Sequence, residues 1–314
     1  MQWGQIKSLF IICFLILNIF LVRQLFDRQE DELSFIPEPS KEDELELNIS
    51  GLENLSNESY SAPLIHTKNF NFNEQAAEAL ASLTNQEIVV ISGHYLFSRF
   101  DEPIQLELEE QEYDQAVIDS MVFSGDTYEL WGQIPNANLL IYFQRIEYPI
   151  FFNPNALLFV QLNDAGEMVQ YVQTRLDEPE EAEENQALIQ QYDAVYRLYH
   201  NSNALDTNDE VTDVILGYHN LVSLANDEQL LNPTWNIQVN DRRNHFVNAI
   251  EGHTYPRNRG FTSNLLNEAI KLLTEADETN TVEYNVEEDI DDLLRIMTHS
   301  LTSVYENLIE ESSE

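Results

Sequence analysis

One cysteine, nine glycines and 15 Lys+Arg are what this 314-residue sequence has least of. The single cysteine, Cys13, excludes an intrachain disulfide framework and any zinc site built on thiolates. So few glycines leave little material for a phosphate-cradling loop, and no Walker loop is present. The bases face 56 Asp+Glu, giving a formal net charge of −41. That balance excludes most nucleic-acid binders, which need clustered Lys and Arg to neutralise phosphates. It also argues against adhesion to an anionic lipid surface. What is plentiful is apolar: 43% hydrophobic and 11% aromatic residues, enough to build a core. The length suits about two ordinary domains, or one with long tails.

Ser8 to Val22 reads SLFIICFLILNIFLV, an uncharged run bracketed by Lys7 and Arg23, with Trp3 and Phe26 just outside. At about 1.5 Å per residue the run alone falls short of a hydrocarbon core about 30 Å thick. Snorkelling bases and an interfacial Trp extend it from Trp3 to Phe26. A cleaved signal peptide would need small residues in an A-x-A pattern, whereas Val22-Arg23-Gln24-Leu25-Phe26-Asp27 follows. A lipoprotein would need a cysteine after the run, and Cys13 lies inside it. The expectation is an uncleaved single-pass anchor in the cell membrane, with a cytoplasmic N-terminus and an extracytoplasmic bulk. Basic residues are near balanced across the run. The orientation rests instead on the short leading segment and on the export of long domains regardless of charge. Asn18 would be costly facing lipid. Either it contacts a neighbouring membrane helix, together with Phe14, Leu15 and Leu21, or it lies near enough to the interface at Arg23 to be tolerated.

Residues 27–65 are expected to form an acidic tether. From residue 24 on they hold about eleven acids against two bases, with Pro37 and Pro39 and sparse apolar residues. Order is expected near Phe70. Asn71 with Glu74 suggests a helix N-cap, and Phe72, Ala76, Ala79, Leu80 and Leu83 follow helical spacing. Glu87–Ser92, Thr127–Gly132 and Leu139–Tyr148 carry strand signals, and Asp114–Met121 a helical one. ALLFVQL, then Asn163-Asp164-Ala165-Gly166, then EMVQYVQTRL make the clearest hairpin. Leu188 to Tyr199 has helical spacing, Val211–Leu224 reads as strand, and Thr234–Ile250 as a second hairpin turning at Asn240–Arg243. Residues 253–314 hold about fourteen acids and four bases. Two helices are expected there: one over about Ser263–Glu275, and one with Val286, Ile290, Leu293, Leu294, Met297, Leu301, Val304 and Leu308 on one stripe. Asn285 and Glu288 suggest the N-cap of the second. That stripe needs a partner, either the body of this chain or another protein.

No catalytic motif emerges. His66, His94, His200, His219, His245, His253 and His299 show neither H-x-x-x-H nor H-E-x-x-H spacing, and neither G-x-S-x-G nor S-x-x-K occurs. Asp206-Thr207-Asn208-Asp209-Glu210 offers alternating oxygen ligands, but Val211 stands where a calcium loop needs glycine. Glu287 to Asp292 reads better as a helix start than as a cation site. Paired carboxylates could always cleave glycosides, but sequence alone cannot set their separation. The glycosylation sequons at Asn48, Asn54 and Asn57 lie in the tether. No cofactor and no metal are expected.

The opening MQWGQIKSLFIICFLILNIFLV resembles the start of the YycI family, membrane-anchored accessory proteins of the WalK (YycG) sensor kinase. Gln86–Leu106, Gln144–Gln173, and the series Leu216-Gly217-Tyr218, Pro233-Thr234-Trp235 and Val247–Gly252 resemble the family's strand regions in order and spacing. The resemblance covers the anchor and residues 70–252, and the chain departs from the pattern beyond Gly252. It implies an α+β extracytoplasmic domain over residues 66–252, made of antiparallel sheets with packed helices. Residues 1–26 would be the anchor, and residues 253–314 an acidic helical extension outside the family pattern. It also implies partners, a WalK/YycG-like kinase and a YycH-like protein, and tuning of that kinase rather than catalysis. Two other classes stand beside this one: an anchored sensor of a small ligand, and an envelope hydrolase using paired acids.

Overall fold

The computed structural model describes residues 7, 11–23, 40–106, 108–109, 112–179, 184–202, 204–223, 227–256, 260–287 and 289–313. The chain divides into two compact units, Met1–Leu47 and Asn48–Glu314. The first contains a helix over residues 11–23 and most of a second, Lys41–Asn48. Among the described residues no helix is long and apolar enough to cross a membrane. The helical stretch 11–23 spans roughly 20 Å. Trp3, Phe26 and the start of the apolar run, on which the expected span depends, lie outside the described residues, as does most of the acidic run before residue 40.

The second unit is α+β. Its main strands are β1 (Ile65–Lys68), β2 (Gln86–Ile91), β3 (Tyr95–Gln105), β4 (Tyr128–Ile134), β5 (Leu139–Gln144), β6 (Ile150–Phe151), β7 (Leu157–Leu162), β8 (Glu167–Thr174), β9 (Val211–Ser223), β10 (Glu228–Val239), β11 (Arg243–Asn248) and β12 (Thr281–Tyr284). Seven of them form an antiparallel sheet in the order β12-β2-β3-β8-β7-β5-β4. The smaller sheet runs β11-β10-β9-β6; its last pairing is parallel, and β1 pairs with the start of β10. The longer helices are α1 (Gln191–Ser202), α2 (Phe261–Thr274) and α3 (Ile290–Ser313).

Both faces of the large sheet are buried, and this explains its uninterrupted apolar strands. Ile88, Val90, Leu140, Tyr142, Leu158 and Val160 enter one core with Phe72, Leu80 and Ile118 from the short helices Phe72–Gln75, Ala77–Ser82 and Gln115–Met121. The alternate residues Val89, Ile91, Ile141, Phe143, Leu157 and Phe159 enter a second core beneath α2 and α3. There Leu266, Ala269 and Leu273 of α2 meet Leu293, Met297, Leu301 and Val304 of α3. The stripe therefore finds its partner within its own chain.

Local chemistry sets the element ends. Asn71 Oδ1 accepts from the N–H groups of Asn73 and Glu74, and Asp114 Oδ1 accepts from that of Ala116, both as N-caps. Asn163 Oδ1 accepts from the N–H groups of Ala165 and Glu167, and Gly166 takes a φ of 81°, closing the β7–β8 hairpin.

Three expectations are corrected. Asn285 does not cap α3; it has a φ of 59°, and its amide donates to the carbonyls of Leu80 and Leu83. Asp289 does the capping, accepting from the Asp291 N–H, while Glu288 lies outside the described residues. Between the two C-terminal helices runs β12, a strand the sequence analysis did not foresee, paired with β2. The tether region also differs from a solvated arm over its second half. Ser50 bridges Glu210, Ser61–Ala62 pairs with Gln186–Ala187, and Asn48 Nδ2 donates to Tyr199 Oη. Backbone pairing with later strands holds this stretch, and its own sparse apolar pattern carries no sign of that pairing.

Candidate functional site

The residues singled out as a partner contact, Phe14, Leu15, Asn18 and Leu21, fall on the helix over 11–23. Phe14, Asn18 and Leu21 are spaced four and three apart and so share one face, with Leu15 beside it. Phe14, Leu15 and Leu21 are 66%, 56% and 51% exposed, as are their apolar neighbours all round the helix. Asn18 Nδ2 donates to the Phe14 carbonyl at 2.9 Å. One of its two amide N–H donors is thereby satisfied inside its own helix, which reduces the cost of placing it among hydrocarbon.

In the second unit the sequence candidates for chemistry are dispersed. Among the described residues no three His, Cys, Asp or Glu gather into a group that could hold a metal ion. The loop Asp206–Glu210 turns its acid inward. Asp209 is buried, and its carboxylate accepts from the Asp206 N–H, Asn240 Nδ2 and Arg243 Nη2. Burial pushes this carboxyl up, but those hydrogen bonds and the Arg243 charge outweigh it and hold it below the usual carboxylate range. Asp277, bonded to Thr279 and Asn280, is also held low. A general acid needs the opposite displacement. Among the histidines, His219 stacks on Tyr255 at 4.3 Å, and burial keeps its imidazole below the usual value despite a contact with the Asn220 carbonyl.

The buried polar groups are mostly amides and phenols serving as clamps. Gln86 Nε2 donates to the Met121 carbonyl, while its Oε1 accepts from Ser98 and Tyr171. Gln144 exchanges two hydrogen bonds with the Leu176 backbone, and Gln173 donates to the Phe123 carbonyl. Burial drives the Tyr128 and Tyr171 phenols far up, so they stay neutral donors.

One polar set escaped the sequence analysis. Asn232, Thr234, Asn236 and Gln238 alternate along β10 with Leu231, Pro233, Trp235, Ile237 and Val239. Such alternation usually marks a solvated face, yet Asn232, Thr234 and Asn236 are buried. The available signal was the lack of any charge in that row.

The family description "YycI protein" matches residues 40–250. The chain belongs to the YycI family. The two C-terminal helices and β12 lie beyond the matched YycI region. No curated protein matches the chain. Among solved structures, an uncharacterized protein from Eubacterium rectale ATCC 33656 aligns at 12% identity and a TM-score of 0.41, covering 67% of this chain and 89% of that one. A likeness at that level carries no argument.

Proposed function

We propose that this YycI-family protein is a non-catalytic, membrane-anchored regulator of a YycG/WalK-type sensor kinase, acting beside a YycH-like protein. The observation that carries the reading is the family match over residues 40–250. It is supported by a helix that exposes apolar side chains on every face and has no use in water. On this reading residues 1–26 form the anchor with the N-terminus in the cytoplasm, and the second unit is extracytoplasmic. The kinase contact runs along Phe14, Leu15, Asn18 and Leu21, where influence passes between helices in the bilayer.

The test is crosslinking in intact membranes, with identification of the captured partners. The wild-type chain should fractionate with membranes and capture the kinase. Replacing Phe14, Leu15 and Leu21 by Ala and Asn18 by Leu should lower that capture and change kinase output. Recovery of the chain free of membrane overturns the anchor; unchanged capture and unchanged output remove the helix from the mechanism.

A further inference from the structure

A cleft of about 200 Å³ lies between β4, the edge strand of the large sheet, and the amide-rich face of β9, β10 and β11. Its floor is a pair of cross-strand rows. Ile215 pairs with Asn236, and beside them Asp213, Gln238 and Asn244 are in register across three strands. The opposite wall is Trp131 with Phe143 and Phe151. Glu129, exposed at the rim and 4.0 Å from Arg145, is the one charged side chain in the lining among the described residues.

Four features mark this as a built site. Asn236 is 2% exposed, and its Oδ1 has no hydrogen-bond partner among the described residues. Buried acceptors are ordinarily satisfied, and this one belongs to a residue that lines the cleft. Trp131 occupies a bulge between Leu130 and Gly132 in the pairing of β4 with β5, and bulges on edge strands re-aim side chains. Phe152 has a φ of 49°, unusual for a bulky residue, and packs on Trp131, Phe143 and Phe246. Gly217 lets Phe151 lie flush on the sheet, because a Cβ there would stand 2.2 Å from the Phe151 ring.

The chemistry of the lining selects the ligand. Asn236, Gln238 and Asn244 each offer an amide acceptor and two N–H donors, the complement of hydroxyls that both donate and accept. The indole and phenyl wall suits an apolar C–H face, since aromatic faces carry negative potential. Carboxylates at Glu129 and at Asp213, on a chain of net charge −41, repel anions. The volume falls below the roughly 300–1,000 Å³ of drug-sized pockets and suits a single ring. We propose that this cleft binds one neutral pyranose ring of a glycan, with Trp131 stacking on its C–H face and Asn236 accepting from a hydroxyl. The inference stands apart from the kinase reading, and either can fail alone.

The test uses the full chain in lipid nanodiscs, because sugar-headed detergents would compete. N-acetylglucosamine trimer, cellotriose and maltotriose are titrated while tryptophan fluorescence and heat are followed. Saturable binding of one of them is expected, with a change in tryptophan emission that Trp131→Phe removes. Asn236→Leu should weaken it about tenfold or more without lowering the melting temperature, since the unpartnered acceptor is removed. Should that variant not fold, Asn244→Ala, at a half-buried position, should weaken binding by a similar factor. No binding of any of the three sugars up to about 10 mM overturns the proposal. So does binding that both variants leave unchanged, or a response to uncharged peptides alone.

Discussion

Leu293→Ala tests whether the C-terminal hairpin is a wall of the core or a detachable cover. Leu293 is fully buried, and it shares its stripe with Met297, Leu301 and Val304 against the sheet. Truncating such a leucine costs about 2–5 kcal/mol in lost transfer energy and residual cavity. Whole domains are stable by about 5–15 kcal/mol. With a urea slope of about 3 kcal/mol/M, a 3 kcal/mol loss moves the midpoint down by about 1 M. Leu301→Ala adds a second loss of like size. The two sites lie about 12 Å apart along the helix, far enough for the losses to sum, so the double variant should hardly fold. The assay is urea unfolding of the full chain in micelles, with Trp3 and Trp131 replaced by Phe, followed together by far-ultraviolet circular dichroism and by the fluorescence of Trp235, buried in the smaller sheet. One shared transition, shifted by both probes equally, is expected. Helical signal lost separately at low urea, with the Trp235 transition unmoved, would refute the reasoning and make the hairpin an appendage.

Three further outcomes follow from particular contacts. Gly217→Ala should destabilise by about 1–3 kcal/mol by overpacking, because its Cβ would meet the Phe151 ring and also the Pro149 carbonyl at 2.6 Å; an unchanged melting temperature counts against the close packing described. Asp209 has a lowered carboxyl, so its stabilisation is complete above the unfolded value of about 4 and is lost as pH falls through the still lower folded value. Asp209→Asn should therefore be less stable at pH 7, leaving Arg243 without its closest partner, and should flatten the acid limb below about pH 4; an acid limb as steep as the wild type's denies the role. His219 is depressed by burial, so stability should fall as pH drops below the unfolded value of about 6.5 and level off beneath the folded one; His219→Phe should remove part of that slope in thermal melts at pH 7 and pH 5, and an unaltered slope assigns it elsewhere.

Much of the fold was legible where local chemistry decides the outcome. Asn71, Asp114 and the turn at Asn163–Gly166 act as their side chains dictate, and α2 and the α3 stripe follow helical spacing. What stayed hidden depended on distant partners. β12 is four residues long, too short for its alternation to stand out, and its pairing with β2 makes it a strand. Asn285 looked like a cap because it precedes an apolar stripe, but its amide is claimed by carbonyls some two hundred residues earlier. The amide row of β10 is hidden from solvent by the second layer of the fold, a fact no periodicity within one strand conveys. For the proposed contact at Phe14, Leu15, Asn18 and Leu21 the structure adds a helix over residues 11–23 and one bond within it, from Asn18 Nδ2 to the Phe14 carbonyl.

The large sheet is finished by the end of the chain: β12 adds its border and α2 with α3 its roof. At about 5–20 residues per second, some 10–40 s separate the synthesis of β2 from that of the last turn of α3. During that interval the nascent polypeptide shows Val89, Ile91 and Phe97 to whatever surrounds it. A polypeptide halted before Phe261 would keep that apolar face uncovered, so the segment from Phe261 onward governs whether the earlier strands stay apart from other chains.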